Sequence, residues 1–301
     1  MNPKTKQLIL KFLLTPYLIL ESIAKIYSIL LNSIKPGLGY LWVDSLIKKN
    51  QSLIIDVIHK CENGNHFQAK FFTPNQICRM RANTFSTKEP ETLSWIDHYG
   101  GNGVLFDIGA NIGLYSIYYA STKKSAVYAF EPSFFNLSVL AKNIHINGLS
   151  EFIKVVVNPL TSFNQFAKFS LSSLEEGGAL SAFGVDYSFD GSIIDTQLSY
   201  QTLGFSLDEL FKIGVLKDYP SIIKIDVDGI EHLILAGAID TLKNPICRSI
   251  LIEVTNSFSE QANGVKKILE EAGFILKEKR YSETFNFGKF SDSYNQIWIK
   301  L

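Results

Sequence analysis

Short apolar segments alternate with longer amphipathic segments from residue 104 onward, and this alternation constrains the fold more than any other feature. The first apolar segments, VLFDI at 104–108, AVYAFE at 126–131 and FIKVVV at 152–157, are continuous runs. Continuous apolar strands are typical of parallel sheets that helices cover on both faces. The alternation therefore predicts an α/β fold with a doubly wound, mostly parallel sheet and right-handed crossovers.

One connection within this pattern is too long for a simple crossover. About 60 residues, 158–220, separate FIKVVV from the next apolar segment, SIIKIDV at 221–227. The insertion contains alternating segments that predict a hairpin turning at 175–178, and a helix start at Ser206 with Glu209 as capping-box partner. We expect it to lie over the carboxyl edge of the sheet, where ligands bind in such folds.

The segments before the sheet are less regular. We expect a helix within residues 36–60, short strands over 66–85, and a helix in STKEPETLSWIDHY at 86–99. Ser86 is predicted to cap that last helix, with Glu89 as its capping-box partner.

The N-terminal segment LILKFLLTPYLILESIAKIYSILLNSIKP at 8–36 is apolar, but charged residues interrupt it. Its longest charge-free stretch, 12–20, is shorter than the roughly 20 residues that span a bilayer, and Pro16 would kink a helix there. We predict a helical N-terminal extension over 1–65, with one or two amphipathic helices, ahead of a main domain over 66–301. The helices would pack on that domain, on a second copy of the chain, or peripherally on a membrane surface.

Charge and cysteine content narrow the partners and the compartment. Basic and acidic residues balance at 29 each, which gives no electrostatic reason to expect a nucleic-acid partner. The cysteines, Cys61, Cys78 and Cys247, fit no metal-binding spacing, and such sparse thiols favour a reducing compartment. We therefore expect a cytoplasmic protein, with attachment at the inner face of the membrane as an alternative.

The turn between the first strand and its helix, in VLFDIGANIGLYS, predicts a nucleotide-like ligand. Gly109 and Gly113 can adopt backbone angles that other residues avoid, and the helix start offers free N–H groups to an anion. Glu131 ends the next strand, 24 residues after Asp107, where a carboxylate can accept hydrogen bonds from a ribose diol. The dinucleotide fingerprint G-x-G-x-x-G has Asn111 in place of its middle glycine, which counts against a nicotinamide-linked oxidoreductase.

Several segments together resemble the FkbM family of S-adenosylmethionine-dependent methyltransferases. They are FDIGANIGLYS, YAFEPSFFNLSVLAKNIHING and IIKIDVDGIEHLILAGA, supported by TFSTKEPETLSWI and YNQIWI, and they span roughly residues 70–300. The resemblance implies a Rossmann-like class I methyltransferase fold with an antiparallel last strand. It also implies O-methylation of a sugar hydroxyl, with a saccharide or nucleotide sugar as acceptor, because SSLEEGGALSAFG and SYQTLG resemble members associated with surface polysaccharides. The cofactor-binding residues would be Asp107, Gly109, Asn111, Gly113, Glu131 and Asn158.

Acidic residues at the ends of two later strands predict the acceptor site. Asp226 and Glu253 end strands that should be neighbours at the active edge, and His232 follows at a helix start. The three are candidate catalytic residues, and the two carboxylates could act as a base, as a substrate clamp or as a site for Mg²⁺ or Mn²⁺. A different class of function stays open at this point, namely a non-catalytic nucleotide-binding scaffold of a glycan assembly.

Overall fold

The computed structural model describes residues 3–50, 53–281 and 291–300, with side chains over 12–46, 53–281 and 291–300. The chain forms two compact units, Met1–Leu53 and Ile54–Leu301. The predicted boundary between a helical extension, 1–65, and a main domain, 66–301, stays a prediction.

The first unit is a helical hairpin of α1 (Pro3–Ile34) and α2 (Leu38–Asn50). Helix α1 continues through Pro16 as one element. Among the described residues, one helical segment, Phe12–Ile34, is long and apolar enough to cross a membrane by length and composition. The expectation that this region is too short to cross a membrane is therefore wrong about its length, because it counted only the charge-free residues 12–20.

The second unit contains all twelve strands of the described chain and its remaining eight helices. The strands are β1 (Ile54–Lys60), β2 (His66–Phe72), β3 (Leu105–Ile108), β4 (Val127–Phe130), β5 (Ile153–Val156), β6 (Gln165–Leu171), β7 (Ser181–Phe183), β8 (Leu198–Gly204), β9 (Ile222–Ile225), β10 (Ser249–Thr255), β11 (Ile275–Arg280) and β12 (Ser293–Ile299). The helices are α3 (Gln76–Asn83), α4 (Pro90–Tyr99), α5 (Leu114–Lys123), α6 (Phe134–Ile146), α7 (Leu207–Lys212), α8 (Glu231–Ala236), α9 (Ile239–Lys243) and α10 (Ser259–Glu271).

A seven-stranded sheet forms the centre of this unit, in the order β11-β12-β10-β9-β3-β4-β5. Strands β3, β4, β5, β9 and β10 pair in parallel, and the last strand, β12, pairs antiparallel with β10. The predicted doubly wound sheet with an antiparallel last strand is confirmed. The chain order reverses between β3 and β9, so a crevice is expected at their carboxyl ends.

The insertion forms a second, three-stranded sheet in the order β7-β6-β8. The predicted hairpin is confirmed, because β6 and β7 pair antiparallel with Phe169 opposite Phe183. The predicted helix start is also confirmed, since the Ser206 hydroxyl accepts a hydrogen bond from the Glu209 N–H at 3.3 Å.

The segments before the sheet differ from their predictions at three points. Residues 54–60 form strand β1 rather than helix, because β-branched side chains favour a strand and β2 pairs with it along its whole length. Residues 76–83 form helix α3 rather than strand, begun by Asn75, whose side chain accepts from the Cys78 N–H at 2.9 Å. Helix α4 begins at Pro90 with Glu89 as its N-cap, so the predicted Ser86 cap is wrong.

Two hydrophobic cores pack on opposite faces of the central sheet, because successive strand residues point to opposite sides. Leu105, Ile222 and Leu251 belong to one core, and Phe106, Ile223 and Ile250 belong to the other. The face that holds Leu105, Ile222 and Leu251 also carries ionisable residues nearer the carboxyl edge, two or four positions further along the chain. They are Asp107, Lys224, Asp226 and Glu253.

Candidate active site

The turn after β3 is tightly wound and lies against β4. The N–H groups of Gly109 and Ala110 both donate to the Phe130 carbonyl at 3.0 Å. Gly109, Asn111 and Gly113 all have positive φ, at 85°, 51° and 88°. This backbone conformation strains most side chains, which explains the two glycines.

The missing side chains of the two glycines make room for protein atoms. A Cβ added to Gly109 would lie 1.9 Å from the Asp226 carbonyl oxygen, and one added to Gly113 would lie 2.5 Å from Leu140 Cδ1. Gly109 thus allows the turns after β3 and β9 to touch, and Gly113 allows α5 to approach α6. Gly113 does not line the cavity described below, so its predicted contact with a ligand stays a prediction.

Glu131 binds the turn from the end of β4. One carboxylate oxygen accepts from the Asn111 N–H at 2.8 Å, and the other accepts from the Ser133 N–H at 2.8 Å. The residue is 5% exposed, and this burial raises the pKa of Glu131 to about 7. Each oxygen keeps a further lone pair, so Glu131 can still accept hydrogen bonds from a ligand.

Asp107 lies beneath the turn rather than on the wall of the cavity. Its Oδ2 accepts from the Ser116 hydroxyl at 2.6 Å, and burial raises its pKa. Its Oδ1 is buried and has no hydrogen-bond partner within the described chain. A buried acceptor of this kind is costly unless it is satisfied, so it marks a place where a bound group or water can donate.

A cavity of about 310 Å³ opens at the carboxyl ends of β3, β4, β9 and β10. Its volume lies at the lower end of the range for small-molecule sites. One side, the turn half, is lined by Gly109, Ala110, Asn111, Glu131, Asn136 and Asn158. The opposite side, the charged half, is lined by Arg81, Lys88, Glu89, Tyr115, Lys224, Asp226, Glu253, Arg280 and Asn295.

Asn158 lines the cavity, and its predicted contact with the cofactor stays a prediction. Its amide also donates to the Leu203 carbonyl at 3.0 Å, which ties the end of β5 to β8 of the insertion.

Residues 175–181 of the insertion, here called the roof loop, are held near both halves. The Gly178 carbonyl accepts from the Asn111 amide at 2.8 Å and from the Asn136 amide at 3.2 Å. The Leu180 N–H donates to Asp228 Oδ2 at 2.7 Å. The insertion therefore reaches the carboxyl edge of the sheet, where it was expected.

A buried ion pair forms the centre of the charged half. Lys224 is 2% exposed, and its ammonium lies 2.9 Å from Asp226 Oδ2, whose side chain is 29% exposed. Burial would lower the pKa of Lys224, but Asp226 and Glu89 raise it above its ordinary value. Burial would likewise raise the pKa of Asp226, but the Lys224 ammonium holds it below its ordinary value. At neutral pH both groups are therefore charged.

The pKa of Glu253 is shifted in the opposite direction from that of Asp226, although β9 and β10 are neighbours. Burial, followed by the negative charges of Asp226 and Glu89, raises the pKa of Glu253 well above its ordinary value. Glu253 therefore keeps its proton to a higher pH than Asp226 does, and in its protonated form it can donate a hydrogen bond. The charged half thus contains two carboxyl groups whose pKa values are shifted in opposite directions.

Two further acids of the DVDGIE segment shape the loop. Asp228, with φ 66°, accepts from the roof loop. Glu231 is 1% exposed and accepts from the N–H groups of Val227 and Gly229 at 3.1 Å. Asp228 accepts from backbone N–H groups, and Glu231 also accepts from the Gln261 side-chain amide.

His232 lies away from the cavity, so the structure does not bring together the three predicted catalytic residues. The ring is 7% exposed and packs at 6.0 Å between ring centroids against Phe258. Burial lowers its pKa, which keeps the ring neutral, and neither ring nitrogen has a hydrogen-bond partner in the described chain.

The predicted metal site is not supported. Across residues 3–50, 53–281 and 291–300, no three His, Cys, Asp or Glu side chains are grouped to hold a metal ion. Asp226 already has the Lys224 ammonium as its cation, and the raised pKa of Glu253 favours its protonated form over metal binding.

Sequence reasoning missed the contribution of α3 and α4 to the charged half. Glu89 was interpreted as a capping residue, but it is 8% exposed and forms an ion pair with Lys88 at 3.2 Å. Lys88 and Lys224 hold the pKa of Glu89 below its ordinary value against the opposing effect of burial. The available signal was Pro90, which favours the first helical position and therefore places Glu89 outside the helix.

The central sheet order and the glycine turn beside a buried acid define a Rossmann-like methyltransferase of class I. The profile of the Methyltransferase FkbM domain matches residues 107–276, which is more than half of the chain. The chain belongs to the FkbM family of methyltransferases, as the sequence segments predicted.

The individual relatives share only limited sequence identity with this chain. A curated methyltransferase, sdnD from Sordaria araneosa, is 26% identical over 201 residues, which cover 60% of this chain and 76% of that protein. The FkbM methyltransferase of Methylobacillus flagellatus aligns with a TM-score of 0.44 and 14% identity, over 66% of this chain and 43% of that one. A fibrillarin pre-rRNA processing protein from Methanococcus jannaschii aligns with a TM-score of 0.45 and 14% identity, over 81% and 82% of the two chains.

Proposed function

We propose that this methyltransferase uses S-adenosylmethionine to methylate a hydroxyl group of a saccharide. The observation that carries the proposal is the cavity itself. A glycine turn with the Glu131 carboxylate and the Asn158 side chain beside it shares one cavity with the ionised Asp226 and with Glu253, whose pKa is raised. The first feature suits a nucleoside with an amino-acid tail, and the second suits an alcohol that must lose a proton.

The residues of the turn half fit such a cofactor. Glu131 has lone pairs free for the ribose hydroxyls, and the orphaned Oδ1 of Asp107 and Oδ1 of Asn111 lie at the turn where an ammonium or water could donate. Asn158 would lie near the base. When bound, S-adenosylmethionine supplies an activated methyl group, so the remaining catalysis is mainly positioning and proton transfer.

The charged half would hold the acceptor hydroxyl and take its proton. Transfer of a methyl group from the cofactor's sulfur to the acceptor oxygen would leave that oxygen positively charged and its proton strongly acidic. The ionised Asp226 accepts that proton, even though Lys224 makes it a weaker base than a free carboxylate. The Glu253 carboxyl group donates a hydrogen bond that orients the acceptor or Asp226.

A saccharide acceptor is favoured by the remaining lining. Arg81, Arg280 and Asn295 offer hydrogen-bond donors, while Tyr115 and Tyr294 offer aromatic faces. Polar groups that fix hydroxyls, combined with a few aromatic rings, form the kind of lining that a sugar ring requires. A nucleotide sugar or a glycan of the cell surface would present such a hydroxyl.

Binding and transfer are tested separately with the full-length chain. Calorimetry with S-adenosylhomocysteine should give a dissociation constant near 1 μM, about 8 kcal/mol. Incubation with S-adenosylmethionine and a panel of nucleotide sugars and oligosaccharides should give a product heavier by one methylene, detected by mass spectrometry. Binding of NADH in place of the homocysteine compound, or methylation confined to non-hydroxyl acceptors, would contradict the proposal.

A further inference from the structure

The N-terminal hairpin exposes an apolar face that the rest of its own unit does not cover. Helix α2 packs on one side of α1, where Gly39 N–H donates to Asn32 Oδ1 at 2.9 Å and Trp42 packs edge-on against Tyr27. The contact is close, because a Cβ on Gly39 would lie 2.2 Å from the Ser28 carbonyl oxygen. The two helices therefore form a defined hairpin.

Helix α1 carries two different stripes. Ile19, Ile23, Ile26 and Leu30 follow a spacing of four, three and four residues, and each is more than half exposed. Such spacing places them on one side of the helix.

The second stripe is polar and has the same spacing. Glu21, Lys25, Ser28 and Asn32 follow it two residues later along the helix, and Glu21 pairs with Lys25 at 2.7 Å. A shift of two residues is about 200° around an α-helix, so the polar stripe lies opposite the apolar one. Ser28 and Asn32 are the residues that α2 approaches, so the apolar stripe points away from α2.

The charge of this unit differs from the charge of the whole chain. Residues 1–53 contain seven lysines and only two acidic residues, Glu21 and Asp44, which gives a formal charge of +5. The complete chain is neutral, so residues 54–301 carry −5. A basic unit with an exposed apolar stripe is complementary to a surface that is negatively charged outside and apolar beneath.

We infer that the hairpin lies in the surface of an anionic lipid bilayer, with the Ile19, Ile23, Ile26 and Leu30 stripe inserted and the polar stripe turned away from the bilayer, toward α2. The segment Phe12–Ile34 has the length to span a bilayer. Spanning would place the Glu21–Lys25 pair close to the middle of the hydrocarbon layer, where charged side chains are costly. Lying in the surface leaves that pair hydrated.

The test is co-sedimentation of the full-length protein with phosphatidylcholine vesicles, with and without phosphatidylglycerol. A fourfold variant, I19Q/I23Q/I26Q/L30Q, removes the apolar stripe and keeps good helix formers. The matched control, I193Q/I213Q/V215Q/I246Q, changes four exposed apolar residues of the second unit.

We expect the wild type and the control to bind vesicles that contain phosphatidylglycerol. The stripe variant should bind these vesicles at least about tenfold more weakly. High salt should weaken wild-type binding several-fold. Alkaline carbonate should release the protein. Methyl transfer to a water-soluble acceptor should be unchanged in the stripe variant, so failure here is distinguishable from failure of the proposed function.

Three results would overturn the inference. The first is absence of wild-type binding to anionic vesicles, or equal binding by the stripe variant. The second is retention in carbonate with release only by detergent, which would indicate a spanning helix. The third is a wild-type dimer in sedimentation that the stripe variant dissociates, without vesicle binding by either, which would assign the stripe to a second copy of the chain.

Discussion

Main-chain atoms shape the turn half of the cavity, whereas side chains shape the charged half. In the turn half, main-chain groups and left-handed backbone angles define the shape, and the Glu131 carboxylate holds them in place. In the charged half, the shape comes from ionisable side chains on or just after β9, on β10 and just before α4, and their charges shift one another's pKa values. The first half should therefore be sensitive to added volume, and the second to the loss of a single charge.

Gly109→Ala should have the largest effect, because it damages both halves. The new Cβ would meet the Asp226 carbonyl at 1.9 Å with φ at +85°, and we expect a loss of about 3 kcal/mol in the free energy of unfolding. Urea denaturation measures it. The control is Gly273→Ala, with a similar φ of +87° but no atom within 4 Å. It should lose about 1 kcal/mol, and equal losses in the two variants would show that the close approach is unimportant.

Asp226→Asn should affect the charged half alone. It preserves size but removes the negative charge, so turnover should fall about 100-fold, while affinity for S-adenosylhomocysteine stays within a few-fold. Asp218→Asn is the control, because it makes the same change at an exposed acid paired with Lys154 at 3.2 Å. Normal turnover in the Asp226→Asn variant would rule out Asp226 as the proton acceptor.

Glu131→Gln should affect the turn half alone. Loss of charge-assisted hydrogen bonds should weaken S-adenosylhomocysteine about 10- to 100-fold, with turnover at saturating cofactor nearly unchanged. Glu231→Gln is a matched control, because burial raises both pKa values to about 7 but Glu231 binds the backbone of the other turn. A comparable loss of affinity in the Glu231 variant would argue against a specific role for Glu131.

The smallest effect is the pH dependence of the turn half. Because the pKa of Glu131 rises from an ordinary 4.5 to about 7, its protonated form stabilises the fold fully below 4.5. That stabilisation is lost as the pH rises through 7. If the cofactor needs the ionised form, affinity should fall about tenfold between pH 8 and pH 6. Calorimetry across this range should show a flat profile for Glu131→Gln, and a flat wild-type profile would contradict the assignment.

The turn half could be predicted from the sequence because its residues are local. An apolar strand, two glycines four residues apart and an acid at the end of the next strand are all visible along one stretch of chain. Asn111, Glu131 and Asn158 all line the cavity, and their contact with a cofactor stays a prediction.

The charged half was only partly predictable. The ends of β9 and β10 follow from the strand pattern, which indicated Asp226 and Glu253. Glu89 comes close to these two residues because α4 packs over the sheet, and no sequence periodicity predicts that packing. The sequence correctly places His232 at a helix start. It does not indicate where the side chain points, because that depends on packing against Phe258 and α10.

The roof loop has a consequence for how acceptor choice can diverge in evolution. Gly177, Gly178, Leu180 and Ser181 are anchored through main-chain atoms, by Asn136, Asn111 and Asp228. The side chains of Glu175, Ala179 and Ser181 can therefore be exchanged without removing these anchors, whereas a Cβ added at Gly177 or Gly178 would lie 2.9 Å from Cys78 Sγ or from the Glu175 carbonyl oxygen. A lineage could drift toward a new acceptor by point changes in the roof, while the cofactor turn and the carboxylates beneath it are inherited intact.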